Sequence, residues 1–222
     1  MKTLAGIALT ACQVLGIDDS ATVEQAKVFA RDRWSMLWSA ELWPQSRTVQ
    51  PATLPATAAQ LTVPVGMELV TLVRRTDTGE VIAAESEIAA ILSDPSAFRD
   101  GAATPFFWCQ IAPSGSQAVL RFSSAPRADL LLTLIGKAPC PDLANDDAKP
   151  TIPGADLALV AHVTADLYEW QRQMGKSQTK RQEALALESR MAELARIQSG
   201  NMVRIVPEPE GDWDGRFPFA KA

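Results

Sequence analysis

The periodicity of this chain changes near Asp146, and that change limits what it can fold into. Upstream, β-like runs are cut by prolines; downstream, apolar residues return every three or four positions, the repeat of a helix that buries one face. Two periods kept in separate blocks predict an α+β protein, with helices and strands segregated. The expected order is an N-terminal helical pair (1–47), a small antiparallel β-sheet or sandwich (48–138), a Pro/Asp-rich connector (139–153), a long helical segment (154–200) and an extended C-terminal tail (201–222). With 222 residues the chain can bury a real core, and a compact domain with helical appendages fits better than one large domain.

Leu4, Ile7, Ala11 and Leu15 fall at helical spacing, and Gly16 readily takes the left-handed conformation that ends a helix. Asp18, Asp19 and Ser20 offer caps to a second helix, in which Val23, Ala26, Ala30, Trp34, Leu37 and Glu41 trace one stripe. Phe29, Met36 and Trp38 widen that stripe, and Trp43-Pro44 closes it. Two antiparallel helices are expected. Trp34 and Trp38, four residues apart, should pack as adjacent core rings, which explains them better than a ligand cage or a membrane belt. An isolated helical pair cannot hide so much aromatic area, so part of it is expected to face a neighbouring subunit.

Leu61, Val63 and Val65 lead into an apolar run over 69–73, and Thr76-Asp77-Thr78-Gly79 reads as a hairpin turn before a strand at 80–83. Segments 106–111, 118–123 and 130–135 look like later strands, parted by Pro113-Ser114-Gly115-Ser116 and Ser124-Ala125-Pro126-Arg127. A short antiparallel meander is the simplest topology for them, with 88–92 either a helical turn or a strand. Pro139, Pro141, Pro150 and Pro153 make the connector rigid. Leu157, Val160, Val163, Leu167, Trp170 and Met174 then predict one buried helical face, and Ala184, Leu187, Met191 and Leu194 a second beyond the polar stretch 175–182. One kinked helix and two successive helices both fit.

Catalytic chemistry finds little support. The net charge of −5 gives no basic field for gripping nucleic acid, and no apolar run approaches a membrane span. Cys12, Cys109 and Cys140 are odd in number and lack any C-x-x-C pair, which argues against a disulfide framework or a zinc site. His162 is the single histidine and reads as a polar packing residue; neither Cys109, in an aromatic strand, nor Cys140, between prolines, has the electropositive setting of a nucleophile. Asp142, Asp146, Asp147 and Asp156 lack the register of a calcium loop and serve as caps and turn-formers. Lys176, Lys180, Arg181 and Arg190 read as a solvated helix face with Glu183 and Glu188, with a subunit or DNA contact as the weaker alternative. No catalytic residue, metal ligand or cofactor is expected.

Two features remain. Leu9-Thr10-Ala11-Cys12 imitates the cleavage box of a lipid-anchored envelope protein, yet the apolar pattern continues past the cysteine as in a packed helix. The tail after Val203 carries Pro207, Pro209, Gly211, Gly215 and Pro218, which make it irregular, together with Trp213, Phe217 and Phe219, which are candidate partner-binding anchors.

The order of segments resembles the head-tail adaptor (connector, or neck) proteins of tailed bacteriophages. The resemblance rests on the paired helices ending in Leu42-Trp43-Pro44, on Gly101 with Pro105-Phe106-Phe107-Trp108, and on residues 119–123 leading to Pro126. It continues through 130–135, Pro139, Leu143, Asn145-Asp146-Asp147, Ile152-Pro153 and the helix over 157–170, and covers most of residues 20–195 as a general pattern without one diagnostic motif. It implies a non-enzymatic virion protein, assembled in the host cytoplasm, forming a dodecameric ring of its own copies beneath the portal protein. That ring would join tail or neck proteins around the DNA channel, with only non-specific proximity to DNA and no membrane contact. A stopper or tail-completion protein one layer lower is the alternative within the resemblance.

Overall fold

The computed structural model describes residues 1–85, 105, 107–111 and 117–198. These form four α-helices and a seven-stranded sheet, an α+β arrangement built on two hydrophobic cores. The helices are α1 (Leu4–Leu15), α2 (Ser20–Ala40), α3 (Ala155–Trp170) and α4 (Met174–Gln198). The strands are β1 (Arg47–Leu54), β2 (Gln60–Thr62), β3 (Leu69–Arg75), β4 (Val81–Ala84), β5 (Phe107–Ile111), β6 (Val119–Phe122) and β7 (Leu130–Lys137).

Local chemistry sets the ends of the first two helices. The Thr3 hydroxyl accepts from the Gly6 N–H at 3.1 Å and caps α1, while Gly16 closes it at φ 70°. Asp19 caps α2, accepting from the Thr22 N–H at 2.8 Å and from the Thr22 hydroxyl at 2.7 Å. The remaining N–H groups at the start of α1 are met by the connector: Leu4 donates to the Ala148 carbonyl and Ala5 to that of Asp146. Connector residues Leu143 and Ile152 are buried in the same core.

The three N-terminal tryptophans correct one expectation. Trp34, Trp38 and Trp43 are all buried within this chain, so none of that aromatic area is left for a neighbouring subunit. Each indole N–H donates to a backbone carbonyl: Trp34 to Pro141 at 2.8 Å, Trp38 to Ala138 at 3.1 Å and Trp43 to Leu37 at 2.8 Å. The Trp34 and Trp38 rings do pack together, with centroids 5.5 Å apart. A buried indole removes roughly 200 Å² from water, on the order of 5 kcal/mol before ordering costs.

The sheet order is β1-β7-β3-β4-β5-β6-β2, which corrects the antiparallel meander in two places. Strands β6 and β7 are consecutive in sequence but are not neighbours; β7 lies between β1 and β3. Its near-continuous apolar run is that of a central strand, whereas β1, which carries Pro51, takes the edge where a missing N–H is tolerated. The pair β4–β5 is parallel, with Ala83 opposite Phe107, so the sheet is mixed. The hairpin at 76–79 joins β3 to β4 as expected, with Gly79 at φ 75°. End strands β1 and β2 touch, and the coiled sheet encloses Leu54, Val73, Trp108, Phe122 and Leu134. The segments 88–92 and 113–116 lie outside the described residues.

The C-terminal helices are two, parted at 171–173 by Arg172 at φ 60°. Their buried faces differ from the expected stripes. Val163 and Leu167 are in the core, but Leu157, Trp170 and Met174 are exposed, and Ala155, Ala158, Ala161 and Ala165 are buried instead. The reason is that α3 packs against α1, α2 and α4 at once, and alanines let three neighbours approach. On α4 only Ser177, Ala184 and Met191 are buried, a narrow seam, while Leu194 is exposed.

This geometry has two measurable consequences. A Cβ on Gly136 would stand 2.1 Å from the Leu69 carbonyl oxygen, so Gly136→Ala must displace β3; an overpacking loss of about 1–3 kcal/mol is expected as a lower urea midpoint. The Thr22 hydrogen bonds hold the Asp19 carboxyl below its ordinary value. Because the folded group titrates lower than the unfolded one, its capping contribution is present above about pH 4 and is lost as pH falls through the folded pKa. Thermal scans should therefore show a shallower acid-side decline for Asp19→Asn, which caps without titrating, than for the native chain.

Candidate functional site

Among the described residues the single histidine and the three cysteines lie on separate elements. His162, on α3, is 7% exposed, and its Nε2 lies 2.8 Å from Glu188 Oε1 on α4. Cys12 is buried in the helical core, where burial, with Asp19 adding, pushes its thiol up. Burial likewise raises the half-buried Cys140 thiol, with Glu68 adding to it and Lys137 opposing. Cys109 belongs to β5 of the sheet, a different body from the helix that carries the imidazole. Both raised thiols are poor nucleophiles.

The acidic connector is structural where it is engaged. Asp146 pairs with Lys27 at 2.8 Å, and Asp156 accepts from the Lys2 N–H at 2.8 Å. Among the described residues no group of three or more His, Cys, Asp or Glu is placed to hold a metal ion. The basic residues of α4 divide: Lys180 pairs with Glu183, Lys176 stands 5.4 Å from the Tyr168 ring centroid, and Arg190 is exposed. Arg181 reaches across to Asp166 and Glu169 on α3. It joins a network there, since Arg33 of α2 grips Asp166 with its Nε at 2.7 Å and a second guanidinium nitrogen on the other oxygen. The hydrogen bonds to Asp166 raise the Arg33 guanidinium pKa above its ordinary value. The network ties three helices together.

Two apolar surfaces emerge that the sequence did not single out. One is a trough along the outward flank of α2. Its wider end, about 570 Å³, is lined by Phe29, Arg33, Met36 and Trp170 among others; its narrower end, about 300 Å³, lies between Leu37 and Ala40 of α2 and Leu185 and Ala192 of α4. A middle stretch shares Arg33, Met36, Leu37, Ala40 and Leu185 with these ends and makes them continuous. Met36 is 61%, Trp170 57% and Leu185 53% exposed. His162 Nδ1 and Arg181 Nε, on residues lining the middle stretch, are buried without a partner.

The other surface is on the sheet. Val49 of β1 and Leu72 of β3 flank Ile135 of β7 in register, and Thr53 stands opposite Leu131. Val49 and Leu131 are 62% and 55% exposed, with Ile135 and Leu72 half-buried beside them. The signal in sequence for the trough was the extra width that Phe29 and Met36 gave the α2 stripe: an apolar arc wider than its neighbours cover.

Trp213, Phe217 and Phe219 lie outside the described residues. Among those described, no helix is long and apolar enough to cross a membrane. No family model matches this sequence, and no curated protein matches it.

Thiol reactivity tests the raised Cys12 and Cys140 thiols. Iodoacetamide at neutral pH should label Cys140 no faster than a free cysteine and leave Cys12 unlabelled until the protein unfolds; a fast-labelling thiol in the native fold would reopen covalent chemistry.

Proposed function

We propose that this chain is a structural subunit of a tailed-bacteriophage virion, a head-tail adaptor and not an enzyme. Its copies form a dodecameric ring beneath the portal protein and join tail or neck proteins around the DNA channel. The observation that carries this reading is the apolar row Val49, Ile135, Leu72 and Leu131 on the outward face of the sheet. An apolar row of that kind on a rigid sheet marks a protein interface, and a ring gives every copy the same two neighbours. The net charge of −5 suits a channel wall past which DNA slides without sticking.

The order of segments supports the adaptor over a lipid-anchored envelope protein. Anchoring at Cys12 requires cleavage before it, and cleavage would remove Leu4, Ile7, Ala8 and Ala11 from the helical core. Trp213, Phe217 and Phe219 serve here as the anchors toward the portal or tail partner, large contact areas at modest entropic cost.

Native mass spectrometry of the purified chain, alone and with isolated portal, tests the proposal. A closed ring is expected in at least one of the two. Val49→Lys with Leu131→Lys should leave the circular dichroism spectrum unchanged and abolish the ring, since exposed substitutions cost only about 0.5 kcal/mol of fold stability. Trp213→Ala, Phe217→Ala and Phe219→Ala together should spare the ring and weaken its union with the partner. A chain that stays monomeric in both settings refutes the reading.

A further inference from the structure

The apolar row on the outward face of the sheet is bracketed by charge of one sign. Side chains alternate along a strand, so Arg47 stands on the same face as Val49, and Arg74, opposite Thr133, on the same face as Leu131 and Ile135. Val81, opposite Arg74 on β4 and 55% exposed, extends the row on that side. The four strands that build this face, β1, β3, β4 and β7, carry Arg47, Arg74, Arg75 and Lys137 and no acidic residue. Arg75 is bound to Asp77 and Glu80, and the Lys137 ammonium to the Glu41 carbonyl. Arg47 and Arg74 are exposed and, among the described residues, form no ion pair. The whole chain carries −5, so with these strands set aside the remaining sequence is more acidic still.

We infer that this sheet face docks against an acidic face of a second copy, one that lies outside that copy's own sheet, with Arg47 and Arg74 each meeting a carboxylate at the edge of the apolar contact. The joint presupposes the ring proposed above and specifies which faces meet in it. Two sheet faces cannot serve each other, because stacking them brings the arginines of both copies together where these strands supply no carboxylate, and like charges repel as the contact dries. Any closed ring of more than two copies also joins two different faces. The two guanidiniums act separately. Four residues along β7 and two strand spacings part them, roughly 16 Å, about twice the screening length at physiological salt, so one carboxylate cannot serve both. The apolar row provides contact area, and the arginines at its rim select the face that is met. A guanidinium suits that place, since it is weakly hydrated and its fork takes a carboxylate by two hydrogen bonds.

Sedimentation velocity of the full chain, alone or with isolated portal, tests it. Raising sodium chloride from about 50 to about 300 mM should weaken association between copies. Arg47→Gln with Arg74→Gln should weaken it roughly tenfold, and Arg47→Glu with Arg74→Glu further still. Arg47→Lys with Arg74→Lys keeps the charge and should retain most of it, and all three double variants should match the native circular dichroism spectrum, since both positions are exposed. Association that salt leaves unchanged or strengthens, or that survives neutralisation of both arginines, overturns the inference and leaves the ring standing. A native chain that stays monomeric in both settings overturns the ring, and this joint with it.

Discussion

The indole N–H groups of Trp34 and Trp38, donated to the carbonyls of Pro141 and Ala138, hold the helical body to the connector, and most of the fold depends on that union. Prolines lack the N–H that a ladder or helix needs, so a proline-rich strip propagates neither and its carbonyls stay available to other partners. Residues 138–148 spend them on α1 and α2: Leu143 also accepts from Arg31 at 2.9 Å, and Asp146 and Ala148 accept from the first turn of α1. Each such group left unpaired in the interior costs about 1–3 kcal/mol. The same region meets the sheet, where Ala138 donates to Ser46 and the Lys137 ammonium to the Glu41 carbonyl. The connector is thus less a linker than a wall of the helical core, tied to the end of the sheet by backbone hydrogen bonds.

Features governed by local chemistry were legible in the sequence. The extents of α1 and α2, the Thr76–Gly79 hairpin turn and the Trp34–Trp38 contact stem from caps, turn residues and four-residue spacing, none of which needs a distant partner. What failed depends on distant partners. Nothing local tells β7 to insert between β1 and β3, because strand order is decided by which apolar run tolerates neighbours on both sides. The parallel pairing of β4 with β5 joins strands that are more than twenty residues apart in the chain, beyond the reach of any turn signal. On α3 the large residues drew attention, but the alanines mark the contacts, since helices that meet on three sides need small residues more than large ones.

The same crowding explains why a candidate site exists at all. Helix α3 is wrapped by α1, α2 and α4, so α2 and α4 are held apart by its width and leave their facing flanks open. The apolar width of α2 is legible in sequence as Phe29 and Met36, but no sequence pattern says how many neighbours a helix will have and so which part of that width stays open. Likewise the outward row on the sheet arose from strands whose pairing was misassigned, so its members could not be assembled from the sequence.

The two open surfaces differ in kind, and the difference bears on what each can bind. The sheet row is carried by rigid paired strands, and a rigid surface of that sort suits a second folded body held at fixed orientation. The trough is concave and narrow, which suits a single extended segment. Its width is not free to adjust: Asp166, bound by Arg33 from one wall and Arg181 from the other, fixes the spacing of α2 and α4 across α3. A receptor whose walls are already set loses little entropy on binding, so a short apolar run suffices to occupy it. The polar network therefore sets the shape of the trough while the exposed Met36, Trp170 and Leu185 supply the apolar surface to be covered.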